Sequence, residues 1–128
     1  MVAEARRAVL LVEDEPVVRE IICSVLEANE FAVTPVGDLD TALAHLGDAA
    51  DRFDWVLSDV RLGGGGNGIE LADWICEHQP HITVVLMSAL SEATHSSHHF
   101  LPKPFTEQEL VEALTAARAL TLSSSGAL

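Results

Sequence analysis

The chain has 128 residues, a formal charge of −13 from 7 Lys and Arg against 20 Asp and Glu, and 48% hydrophobic against 21% charged residues. That length suits one domain with a sizeable core, and the apolar content rules out a disordered acidic tail. The negative balance argues against direct nucleic-acid binding and against docking on anionic membrane, since both need clustered Lys and Arg.

Residues 1–7 read as an N-terminal extension, 8–120 as one domain, and 121–128 as a tail or linker start. The apolar run behind Arg6 and Arg7 is cut short by Glu13, Asp14 and Glu15, which does not fit a signal peptide. No apolar run is long enough to span a bilayer, so a cytoplasmic location is expected. Cys23 and Cys76 lack metal-type spacing and are expected to be buried and reduced.

In chain order, Ala8–Val12 is a first strand. Val17, Val18, Ile21, Ile22, Val25 and Leu26 recur at helical spacing and predict a helix over Pro16–Asn29, with proline in its first turn. Phe31–Val36 is a second strand, followed by a helix carrying Leu39, Ala42, Leu43 and Leu46 with Asp38 as its cap. After a third strand, Trp55–Ser58, the run Gly63-Gly64-Gly65-Gly66-Asn67-Gly68 reads as a flexible loop. It lacks the Lys-Ser or Lys-Thr of a P-loop and the spacing of a dinucleotide fingerprint. Ile69, Ala72, Ile75 and Cys76 predict a helix ending before Pro80, and Ile82–Met87 a fourth strand. Ala89 to His99, with His95, His98 and His99, shows no apolar period and reads as a solvated loop, not a metal site. A brief strand at Phe100–Leu101 precedes Thr106 and Glu109, whose capping-box pattern opens a last helix bearing Leu110, Leu114 and Ala117. Five apolar runs alternating with helices predict an α/β domain with a doubly wound, five-stranded parallel sheet.

Ligands of such sheets bind outside the carboxyl ends of the strands, where the winding reverses. Glu13-Asp14-Glu15 ends the first strand, Ser58-Asp59 the third and Ser88 the fourth, and Lys103, the single lysine, follows the fifth. Pro102 and Pro104 flank that lysine, a pattern of a fixed loop. Crowded carboxylates need a cation among them, and clustered hard oxygens suit Mg²⁺.

Val9-Leu10-Leu11-Val12-Glu13-Asp14-Glu15-Pro16, Trp55-Val56-Leu57-Ser58-Asp59, Val84-Val85-Leu86-Met87-Ser88-Ala89 and Leu101-Pro102-Lys103-Pro104-Phe105, in this order, resemble the receiver domain of bacterial two-component response regulators. The resemblance runs from about Ala8 to Leu120 and implies a flavodoxin-like, CheY-like fold. It implies that Asp59 accepts a phosphoryl group from a histidine kinase or histidine phosphotransfer protein. It also implies Mg²⁺ held by Glu13, Asp14, Asp59 and the backbone carbonyl of Arg61. By the same match Ser88 is the switch hydroxyl, Lys103 pairs with the phosphoryl group, and Phe100 is the aromatic that changes rotamer. Such a domain is not a turnover enzyme. It assists its own phosphotransfer and dephosphorylation, and signals through a downstream protein target or a fused output domain.

The chain departs from the family in two places. A proline-containing turn that follows the phosphoaspartate is replaced by the glycine run, about one residue longer. The interval from Ser88 to Lys103 is about two helical turns short. The fourth helix is therefore expected to be shortened or disordered, and a symmetric dimer through that face is not expected. Two other functions compete. A Mg²⁺-dependent phosphohydrolase of the haloacid-dehalogenase type also uses an aspartyl nucleophile, but needs a second aspartate where this chain has Arg61. A receiver-like docking module would need none of the acceptor-site residues, all of which are present.

Overall fold

The computed structural model describes residues 7–48, 52–88 and 98–126. Strands β1 (Ala8–Val12), β2 (Ala32–Val36), β3 (Trp55–Asp59), β4 (Thr83–Ser88) and β5 (His99–Pro102) alternate with helices α1 (Pro16–Ala28), α2 (Leu39–Leu46) and α3 (Gly68–His78); α4 (Glu107–Gly126) follows β5. The strands lie in the order β2-β1-β3-β4-β5 and every neighbouring pair is parallel. This is the doubly wound sheet expected from the sequence, and its winding reverses between β1 and β3. Residues 89–97, where the shortened helix and His95 were expected, lie outside the described residues.

Side-chain alternation along each central strand divides the apolar residues between two cores. Leu10, Val12, Val56, Val84 and Leu86 pack with Ala42, Leu46, Leu71, Ala72 and Ile75 of α2 and α3. Val9, Leu11, Trp55, Leu57, Val85 and Met87 pack with Ile22, Leu26, Leu110, Leu114 and Ala117 of α1 and α4. Burial on both faces is why these strands read as continuous apolar runs. Pro35 lies in β2, an edge strand, where its missing N–H costs the sheet little.

The predicted caps are present. Asp38 accepts from the Thr41 N–H at 2.7 Å, and Thr106 and Glu109 exchange side-chain to backbone bonds at 3.0 and 2.8 Å. A further capping box, Asn67 with Glu70, opens α3. Three expectations need correction. The α1 stripe is narrower than its sequence, because Val17 and Ile21 are 64% and 58% exposed and only Ile22 and Leu26 are buried. Cys76 is exposed and Cys23 half-buried, since Leu71, Ala72 and Ile75 define the inward face of α3 and Cys76 falls a step around from it. Residues 121–126, expected as part of a tail or linker start, are helical, and α4 continues to Gly126. Once Ala116 to Leu122 has propagated a helix, serine costs it only a few tenths of a kcal/mol per residue. No helix among the described residues is long and apolar enough to cross a membrane.

At the amino ends of the strands, Arg118 of α4 ties the sheet together. Its Nη1 lies 3.0 Å from the Asp54 carbonyl, 2.8 Å from that of His81 and 3.1 Å from Thr83 Oγ1, and its Nη2 pairs with Asp54 Oδ1 at 3.3 Å. Asp54 Oδ2 accepts in turn from the Ala8 N–H at 3.1 Å.

Candidate functional site

Register brings the polar residues to one edge. Val12 pairs with Ser58, so Glu13 follows beside Asp59; Asp59 pairs with Met87, and Ser88 with Pro102. Backbone bonds extend past the strands and fix the next residues: Glu13 N–H to Val36 O at 3.1 Å, Val60 N–H to Met87 O at 3.0 Å, and Lys103 N–H to Ser88 O at 2.8 Å. Glu13, Asp14, Asp59, Ser88 and Lys103 are thus collected at the carboxyl ends of the strands, at the winding reversal. Phe100 faces the other way, half-buried against the core of α2 and α3.

Asp59 is only 8% exposed. Its Oδ1 accepts from the Arg61 N–H at 3.0 Å, and its Oδ2 is paired with Lys103 Nζ. The Arg61 backbone bridges to Asn67, closing the base of the glycine loop. The Lys103–Pro104 peptide is cis. Ser88 Oγ is buried and has no hydrogen-bond partner among the described residues.

Glu13 is buried, with its Oε2 on the Glu15 N–H at 3.1 Å and its Oε1 unpartnered among the described residues. Arg19 Nη1 donates to its carbonyl at 2.7 Å. Burial pushes the Glu13 carboxyl above its ordinary value of 4.5; the Glu15 amide opposes this, and the nearby Asp59 charge adds to it. The native state therefore holds this proton more tightly than the unfolded chain does. The Glu13 contribution to metal-free stability is full below about 4.5 and is lost as pH rises through the raised native value. Glu13→Gln is expected to flatten that slope. Urea midpoints measured from acid to neutral pH in EDTA, for both proteins, check it.

Asp14 is exposed, and its Oδ2 accepts from the Gly63 N–H at 3.0 Å. Among the described residues no three His, Cys, Asp or Glu side chains form a ready-made metal cage. The donor set still fits a hydrated hard cation, which takes one or two carboxylates and keeps several waters. A buried carboxylate oxygen without a partner, Glu13 Oε1, is the observation that favours such a cation.

Sequence reasoning missed Gly68. It is the first residue of α3, and a β-carbon there would lie 2.3 Å from the Asp59 carbonyl oxygen and 3.0 Å from Ser58 Oγ. Only glycine allows the helix this close to β3. Gly68→Ala is expected to cost about 2 kcal/mol or more through overpacking against backbone, read as a lower urea midpoint. No sequence signal separates Gly68 from its glycine neighbours.

Residues 9–115 match the family model of the response regulator receiver domain. The chain is 32% identical over 119 residues to the phosphate regulon transcriptional regulatory protein PhoB of Escherichia coli K12, a match covering 86% of this chain and 51% of PhoB. It spans about half or less of the curated relatives it matches, down to 24% of the nitrogen assimilation regulatory protein NtrX of Azorhizobium caulinodans. The signal receiver domain of an HD domain-containing protein from Pseudomonas fluorescens Pf-5 is similar in structure, with a TM-score of 0.80, 26% identity and coverage of 99% and 98% of the two chains. So is the response regulator protein TrrA from Thermotoga maritima, solved in complex with Mg²⁺–BeF, with a TM-score of 0.77, 22% identity and coverage of 87% and 98%.

Proposed function

The chain belongs to the family of response regulator receiver domains, and on that footing we propose that Asp59 is its phosphoacceptor, charged by a histidine kinase or histidine phosphotransfer protein. One observation carries the reading: a nearly buried aspartate at the winding reversal, paired with the only lysine in the chain. A carboxylate oxygen of Asp59 forms the bond to phosphorus while the bond from phosphorus to the donor histidine nitrogen breaks, and the histidine leaves with that electron pair. Lys103 offsets charge on the transferred group, and the Arg61 N–H keeps the carboxylate oriented. Glu13, Asp14, Asp59 and the Arg61 carbonyl would hold Mg²⁺, which when bound would supply positive charge to the phosphoryl oxygens. The Mg²⁺–BeF complex of TrrA supports this choice of ion.

The acyl phosphate puts close to two negative charges where the Asp59 carboxylate had one. The unpartnered Ser88 hydroxyl then gains an acceptor, and Lys103 a stronger one than a bare carboxylate. That difference in contact shifts a two-state equilibrium, with Phe100 as the reporting side chain. A downstream protein or a fused output domain reads the change, as the short span over the relatives suggests. The partner class also supports a cytoplasmic setting.

Incubation with Mg²⁺ and acetyl phosphate, followed by intact mass measurement, tests the reading. One phosphoryl mass per chain, absent in EDTA, is expected. Steady phosphate release without an adduct would mean a phosphohydrolase, against which Arg61 in place of a second aspartate already speaks. An unchanged mass would mean a docking module and overturn the proposal.

A further inference from the structure

The strap of backbone from Asp59 to Gly63 donates twice into the site. Its Arg61 N–H binds Asp59 Oδ1 at 3.0 Å, and its Gly63 N–H binds Asp14 Oδ2 at 3.0 Å. We propose that the Gly63 amide is a positioning group for Mg²⁺, holding the Asp14 carboxylate ready for the ion; this rests on the Mg²⁺ reading above.

Asp14 is exposed, and without a tether its side chain would have to be ordered when the ion binds. Carboxylate ligands are usually held by a further hydrogen bond, and its loss typically weakens metal binding by about 10–100-fold. Gly63 supplies that bond from a residue without a side chain, so nothing crowds the oxygen it holds. A β-carbon at Gly63 would sit 3.0 Å from the same Asp14 oxygen. The rest of the run holds the strap in place. Gly64 has a φ of 77°, and a β-carbon at Gly66 would meet Leu39 Cδ2 at 2.7 Å. One backbone segment therefore sets Asp59, Asp14 and the Arg61 carbonyl relative to one another. A proline at position 63 could not do so, because it has no N–H.

Calorimetric titration of Mg²⁺ into the unphosphorylated chain tests the proposal. Gly63→Pro is expected to weaken Mg²⁺ about tenfold or more. Gly63→Ala, which keeps the N–H but crowds Asp14, is expected to weaken it less. A Gly63→Pro protein that is folded by circular dichroism and binds Mg²⁺ as the unmodified chain does overturns the proposal. Mg²⁺ binding absent from the unmodified chain sinks the Mg²⁺ reading as well, so the two failures are distinct. The Gly63 amide resonance of the metal-free chain gives a check that needs no change at Gly63. It is expected to move upfield in Asp14→Ala, and an unmoved resonance overturns the contact on which the proposal stands.

Discussion

Asp59→Asn is expected to take up no phosphoryl group from acetyl phosphate under conditions where the unmodified chain gains one per molecule. The amide oxygen is a poor nucleophile and cannot yield an acyl phosphate, so the loss is complete and not partial. The substitution leaves shape almost unchanged. Asparagine can still accept from the Arg61 N–H, and the close packing of Gly68 against the backbone of residue 59 is untouched. A folded mutant, shown by an unchanged amide spectrum away from the crevice, therefore isolates chemistry from structure. Mass gain persisting in Asp59→Asn would move the acceptor to another residue and overturn the assignment.

Lys103→Ala is expected to slow phosphoryl uptake by about 10²-fold, the scale seen when one charge-stabilising donor is removed from a reaction centre. Lys103 Nζ is the cation paired with Asp59, and Glu13 lies close enough to feel the charges of Asp59, Lys103 and Asp14. Deleting it leaves carboxylates near one another without their cation and removes the group that would pair with the phosphoryl oxygens. Lys103→Arg is not expected to restore the rate, because a planar guanidinium does not replace a compact ammonium between fixed prolines. Time courses of intact mass with acetyl phosphate measure all three proteins. An alanine variant phosphorylated at the unmodified rate would remove Lys103 from the mechanism.

The strands were legible because a sheet covered on both faces admits few polar residues, so five apolar runs stood out. Site residues were legible for a related reason: the register of a parallel sheet carries the last residue of each strand to the same edge. Exposure on helices was harder. Val17 and Ile21 fit the apolar period of α1, yet the sheet covers only one side of that stripe. Glycine was harder still, since its letter records permission and not the neighbour that requires it. The run from Gly63 to Gly68 reads as a flexible loop, whereas Gly63, Gly66 and Gly68 are points of close approach to Asp14, Leu39 and Asp59. The Arg118 and Asp54 pairing joins positions too far apart in sequence for any local pattern to reveal it.

That pairing gives the domain two unlike ends. Around Arg118 the sheet is closed by one guanidinium whose partners are all acceptors supplied by the chain itself. At the opposite edge, two buried oxygens lack any such partner among the described residues. The chain thus satisfies its own polar groups around the starts of β1, β3 and β4 and leaves some of them for another partner at the carboxyl ends. On the reading proposed above, a change of state at Asp59 begins at the edge that this guanidinium does not tie.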